Sequence, residues 1–183
     1  YMKMSQAVGE LCRDLIRDSA IRASVHWRAK DPESVQRKIK KKYKDELNSE
    51  DAAFSRINDF AGVRILTYVE GDREAVVDMI KDGFSPAPGF EQIDVDRKGI
   101  NGNESFYRAI HCQVGVPEER LIGTYENLRG ISCEIQVCSM LAHVWNELEH
   151  DLTYKPKTGE VSAQERELLK VLGNQTLAGD GVI

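Results

Sequence analysis

Apolar residues recur along this chain with two different periods, and the points where the period changes outline its elements. Over residues 4–24, Val8, Leu11, Leu15 and Ile16 fall at helical spacing and predict an amphipathic N-terminal helix. A second helix is expected over 31–47, with Asp31 as its N-cap and Pro32 in its first position. Residues 48–51 then read as a turn or a further cap. The run Ala-Gly-Val-Arg-Ile-Leu-Thr-Tyr-Val at 61–69 is rich in β-branched and aromatic residues and reads as a strand. A helix follows over 72–81, stopped by Gly83, and the proline and glycine content of 85–89 marks a loop. Further strands are expected at 90–96, 107–116 and 131–137, with a polar loop over 97–104. Helices at 139–152 and 163–172 complete the pattern.

Strands alternating with helices predict the α/β (α+β) class, a sheet of about five strands flanked by helices. The 183 residues fit one domain with a full core. No apolar run approaches the roughly 20 residues that a membrane span needs, so no membrane association is expected. Of the four cysteines, only Cys133 and Cys138 are close in sequence, and no second Cys/His pair completes a zinc site. They are expected to be reduced and buried, which points to a cytoplasmic location.

Charge changes the picture through its distribution. The net charge of −5 argues against a general nucleic-acid binder. Yet Arg28, Lys30, Arg37, Lys38, Lys40, Lys41, Lys42 and Lys44 crowd one stretch, opposed only by Asp31 and Glu33. On a helix, Ser34 and Lys38 share a face, and Arg28 and Lys30 precede its positive end. Such a group can converge on a polyphosphate, whereas a solvated helix face is the plainer reading of Lys40 to Lys44.

Four other segments carry candidate chemistry. Asp59 stands just before a strand, where a carboxylate can hold Mg²⁺, and Arg64 lies inside the same apolar run, where a charge requires a partner or a cleft. In Glu134-Ile-Gln136-Val-Cys138, alternation puts Glu134, Gln136 and Cys138 on one face; Glu134 suits a general base or metal ligand, or a solvated sheet edge. Tyr107 and His111 also share a face, fit to stack on a base and to meet a phosphate or carboxylate. The His150-Asp151 pair suggests a phosphohydrolase, but His26, His111 and His143 fall in no supporting spacing.

Taken in order, these segments resemble the synthetase domain of the RelA/SpoT family. The pattern Arg-x-Lys-x-x-x-Ser-x-x-x-Lys is met at Arg28, Lys30, Ser34 and Lys38; Asp-x-x-Gly-x-Arg-Ile at Asp59, Gly62, Arg64 and Ile65; and Glu-x-Gln at Glu134 and Gln136. The helix with Trp145, Glu149-His150 and Tyr154-Lys155 is similar to that of the single-domain small synthetases. The resemblance implies a nucleotidyltransferase-like mixed sheet, with residues 1–24 as an N-terminal helix, 25–160 as the synthetase domain and 161–183 as a C-terminal helix and tail. It implies ATP bound by Arg28, Lys30, Ser34, Lys38 and Arg64, and Mg²⁺ held by Asp59 and Glu134, the two catalytic carboxylates. It also implies an acceptor nucleotide met by Tyr107, His111 and Gln136. Pyrophosphate would pass to the acceptor's 3′-hydroxyl, Glu134 taking the proton.

The acceptor segment departs from the family pattern Lys-x-Asn-Gly-Tyr-x-Ser-x-His. Asn103, Ser105, Phe106 and Ala109 replace its Lys, Asn, Gly and inner Ser, while Tyr107 and His111 are kept. The Arg that usually follows Glu-x-Gln-x is Cys138. Lys98 or Arg108 is then expected to stand in for the lost cation. These departures leave the acceptor open among guanine nucleotides, adenine nucleotides and the 3′-end of tRNA. The last two belong to toxic members of the family, which are commonly paired with an antitoxin protein, and homo-oligomers occur among the single-domain members. A non-catalytic nucleotide-binding module is the alternative of another class, although keeping both Asp59 and Glu134 argues against it.

Overall fold

A computed structural model describes residues 1–30, 60–99, 105–154 and 161–183. The helix expected over 31–47, and with it Ser34 and Lys38, lies outside those residues, as do Asp59, Asn103 and Lys155. Helix α1 (Met2–Arg17) buries Met4, Val8, Cys12 and Ile16, one residue per turn along a single stripe. It ends well before residue 24. The expected helix is corrected there, because Ala23–Ala29 forms a strand, β1. The signal is in the sequence: Val25 and Trp27 alternate with His26 and Arg28, a period of two that the preceding helical pattern overruns. Trp27 lies against α1, where a Cβ on Gly9 would stand 2.3 Å from its ring, and the Arg13 guanidinium covers the ring at 4.1 Å.

The remaining strands are β2 (Ala61–Thr67), β3 (Ser85–Pro86), β4 (Asp94–Lys98), β5 (Ala109–Gly115) and β6 (Cys133–Ser139). They form one six-stranded mixed sheet in the order β1-β2-β6-β5-β3, with β4 also paired to β5. Only β2 and β6 run parallel; the other pairings are antiparallel. The expected sheet of about five strands is therefore found, with small shifts. The proline loop contributes the two-residue β3, whose tie to β5 needs few ladder bonds. The strand expected at 90–96 slides to β4 and takes in Arg97 and Lys98.

Alternation divides the sheet. Val25, Val63, Ile65, Ile110, Cys112, Val114, Ile135 and Val137 point to one face, where α1 and helix α2 (Asp72–Gly83) close the core through Val8, Val76, Val77 and Ile80. The other face is polar along most of its length. Its far end is covered by helix α3 (Met140–Tyr154), where Leu66, Ala109, Cys138 and Ala142 pack together beside Tyr107. The Ser139 hydroxyl accepts from the Ala142 amide at 3.0 Å and fixes the turn from β6 into α3.

Helix α4 (Ala163–Asp180) packs on α3 and begins with a reciprocal capping box between Ser162 and Glu165. It runs on past the expected end at residue 172, and Gly173 within it is a packing position: a Cβ there would stand 2.4 Å from the Phe106 ring. All four cysteines are free and buried. Burial pushes the Cys112 thiol up to about 12 and Cys138 to about 11, and raises Cys12 and Cys133 further.

Ile135 is fully buried at the centre of the sheet. Ile135→Ala is expected to lower the stability measured by urea unfolding by about 2–5 kcal/mol, the range for an aliphatic side chain lost from a packed core.

Candidate active site

The polar face gathers side chains from four strands. β1 contributes His26 and Arg28, β2 contributes Gly62 and Arg64, and β6 contributes Glu134 and Gln136, while His111 and Gln113 come from β5. The registers align them: Arg28 pairs with Gly62, Gly62 with Glu134, Arg64 with Gln136, and Gln136 with His111. A cavity of about 310 Å³ opens above β1, β2 and β6. Arg28, Lys30, Gly62, Arg64, Glu134 and Gln136 line it, together with His143 and Glu147 of α3. Gly62 forms part of its floor. A Cβ there would meet only the Arg28 and Glu134 carbonyl oxygens, at 3.8 and 4.0 Å, so the backbone accepts a side chain but the cavity would lose space.

Glu134 is held by three donors. Its Oε1 accepts from His111 Nδ1 at 3.2 Å and from Gln113 Nε2 at 3.2 Å, and its Oε2 accepts from Gln136 Nε2 at 2.6 Å. His111 Nε2 meets the Tyr107 hydroxyl at 2.9 Å. Burial, with Cys138 and Glu134 adding to it, pushes the Tyr107 phenol up to about 12, so it keeps its proton at ordinary pH. A carboxylate can only accept, so His111 donates to Glu134 from Nδ1 while its other nitrogen is engaged by the Tyr107 hydroxyl. The bonded chain Tyr107–His111–Glu134 fixes the carboxylate's orientation.

On the cavity side of Glu134, Arg64 Nη1 bonds Glu147 Oε1 at 2.6 Å and lies 3.3 Å from His143 Nδ1. Burial, with the nearby Arg64 charge, lowers the His143 pKa and keeps that ring neutral. Burial opposes ionisation of Glu147, but the charge of Arg64 and its hydrogen bond outweigh it and hold that carboxyl below its usual range. The pair is partly open to solvent, at 25% and 48% exposure, so its net strength is small and a stronger anion can exchange for it.

The structure thus brings together seven sequence-predicted residues: Arg28, Lys30, Arg64, Glu134 and Gln136 around the cavity, His111 against Glu134, and Tyr107 behind it. Ser34, Lys38 and Asp59 fall outside the described residues. His143, Glu147 and Gln113 escaped the sequence reading. His143 and Glu147 are four apart, so a helix puts them on one face, and that spacing was the signal available. One expectation is corrected. Arg108 does not stand in for the missing acceptor-site cation, because it is 4% exposed and bonds Asp180 at 2.7 Å. Cys138, where the family pattern has Arg, is packed against Leu66 and Ala109. Lys98 sits on β4 and pairs with Asp96.

Mg²⁺ takes oxygen ligands, commonly one or two carboxylates with the rest from water and phosphates. Glu134 presents one carboxylate to the cavity, which fits such an ion. Among the described residues no group of three or more His, Cys, Asp and Glu side chains could cage a metal.

The fold, a mixed sheet flanked by helices, is similar to that of the small alarmone synthetases. A GTP pyrophosphokinase family protein from Streptococcus pneumoniae superposes with a TM-score of 0.74 at 23% identity, over 98% of this chain and 87% of that one. Small alarmone synthetase 1 from Bacillus subtilis gives 0.70 at 20%, over 98% and 90%. The same Bacillus subtilis enzyme bound to its product pppGpp gives 0.68 at 20%, over 97% and 90%. Residues 27–159 match the family described as the region found in RelA/SpoT proteins, and the chain belongs to that family. No curated protein matches the chain. Among the described residues, no helix is long and apolar enough to cross a membrane.

Gly62→Val tests the cavity floor. It is expected to leave the thermal midpoint within a few degrees of the parent, since its Cβ meets only ordinary contacts, while titration with a non-hydrolysable ATP analogue loses its binding signal. Retained binding at parental affinity would place the nucleotide elsewhere.

Proposed function

We infer that this protein is a pyrophosphotransferase that moves the β,γ-pyrophosphoryl group of ATP to the 3′-hydroxyl of a guanine nucleotide. The observation that carries the reading is the position of Glu134. It stands between a cavity with three cationic side chains, Arg28, Lys30 and Arg64, and the Tyr107–His111 pair. The first side suits a polyphosphate donor and the second an acceptor. Membership of the RelA/SpoT family supports the reading, as does the pppGpp-bound relative of the same fold.

In this scheme Arg28 packs on the adenine, and Lys30 and Arg64 hold phosphates, joined by Ser34 and Lys38. Arg64 exchanges its weak pairing with Glu147 for the higher charge of the polyphosphate. Glu134, aimed by His111, Gln113 and Gln136, takes the proton of the 3′-hydroxyl. That oxygen bonds to the β-phosphorus as the bond from this phosphorus to the α,β-bridging oxygen breaks, and AMP leaves. Asp59 and Glu134 would hold Mg²⁺, which would neutralise charge on the transferred phosphates. The residues supply position and fixed charge, the two largest contributions available to phosphoryl transfer.

The acceptor side supports a second reading. With Arg108 buried against Asp180 and Cys138 packed, two positions that could offer a cation to the acceptor's phosphates do not. That favours an acceptor gripped by its base and ribose, an adenine nucleotide or the tRNA 3′-end. Incubation with γ-labelled ATP and Mg²⁺ against GDP, GTP, ADP, AMP and deacylated tRNA separates the two. Label on GDP or GTP is the expected outcome, label on ADP, AMP or tRNA selects the second reading, and no transfer to any of them overturns both. Glu134→Gln should lower turnover by about 100-fold or more, the usual worth of a general base, with ATP affinity little changed. Undiminished turnover would remove Glu134 as the base.

A further inference from the structure

The segment that carries Tyr107 is anchored on both sides of that residue, by residues that do not themselves line the donor cavity. Before it, the Phe106 ring packs edge-on against Trp145 of α3, centroids 5.8 Å apart, and fills the space left by Gly173 of α4. After it, the Arg108 side chain bonds Asp180 at the end of α4, at 2.7 Å with both groups almost fully buried. The same Asp180 oxygen accepts from Ser139 at 2.8 Å, so one carboxylate joins α4, the segment before β5 and the β6–α3 turn. Asn146 of α3 grips the Arg108 backbone at both its N–H and its C=O, at 3.4 and 3.2 Å.

These anchors lie on one side of Glu134. The donor cavity is built from β1, β2, β6 and α3, whereas His111 approaches Glu134 from β5 and Tyr107 from the segment just before it. Helix α4 supplies no residue to the cavity lining. Among the described residues α4 reaches the site by two routes, through residues 106–108 and through α3, whose Trp145 Nε1 donates to the Leu169 carbonyl at 3.0 Å; only the first leads directly to Tyr107. Phe106 and Gly173 also fit as a matched pair, a large ring against the one residue type that leaves room for it.

We propose that helix α4 is the positioning element for the acceptor: Gly173 and Asp180 set the placement of Tyr107 and His111, and through it acceptor binding, without touching the acceptor. The proposal rests on the pyrophosphotransferase reading for its functional consequence, but its structural core can be read without turnover.

Gly173→Ala is the test. Alanine is the better helix former, so any harm comes from its Cβ displacing the Phe106 ring and not from α4 itself. The acceptor KM is expected to rise about tenfold, with the ATP KM within about twofold, because a small misplacement of an orienting group costs rate and binding selectively. Phe106→Leu in the same chain removes ring volume and should restore the acceptor KM. In parallel, the His111 ring resonances in NMR spectra should shift in Gly173→Ala and return in the double variant. Equal rises in both KM values, or no rescue, would overturn the proposal. So would unshifted His111 resonances, whether or not the parent protein transfers pyrophosphate. If the parent transfers to no acceptor, the pyrophosphotransferase reading fails and the His111 resonances alone decide the positioning role.

Discussion

The parallel pairing of β2 with β6 is the constraint on which the rest of the structure depends. Its register sets Gly62 beside Glu134 and Arg64 beside Gln136. Val63, Ile65, Ile135 and Val137 then have no choice but the opposite face, where α1 and α2 bury them. A slip by one residue would send the apolar set to water and the carboxylate into the core, at a cost no domain of this size tolerates. The core therefore specifies the site: the same alternation that hides the valines and isoleucines presents the acid, the arginine and the glutamine together.

Around that central pair, the two faces of Glu134 are supported by different parts of the chain. β1 and β2 hold the cationic side, and α3 reaches both, through Glu147 to Arg64 and through Asn146 to the backbone of Arg108. The buried Arg108–Asp180 pair adds little net stability against an apolar replacement, since desolvation offsets much of its attraction. Its value is directional: a bidentate-capable cation and a carboxylate shared with Ser139 admit few alternative arrangements.

Much of this was legible in the sequence. Strands with strong β-branched content, such as 61–67 and 133–139, announced themselves, and the alternation of Glu134 and Gln136 with Ile135 and Val137 gave the correct faces. β1 was hidden because its period-two pattern is short and follows directly on a strong helical one, and because Arg28 and Lys30 drew attention to charge and not to periodicity. Arg108 was misread for a physical reason: sequence shows that a cation is present, but not that a carboxylate 72 residues away neutralises it. The role of Gly173 was invisible for the same reason, since its smallness serves a ring from a distant segment. His143 and Glu147 gain meaning only once α3 is laid over β2. Long-range pairing, in each case, is the information that a linear pattern lacks.

The four sequestered thiols carry a practical corollary. With pKa values raised to about 11 or beyond, even the most acidic of them is ionised in only about one molecule in ten thousand at neutral pH. Alkylating and fluorescent maleimide reagents act on the thiolate, and these side chains are also shut away from them. A single cysteine placed on the surface would therefore be the one handle that such a dye finds. Probes could be attached one at a time to the native chain, with none of its own sulfurs first removed.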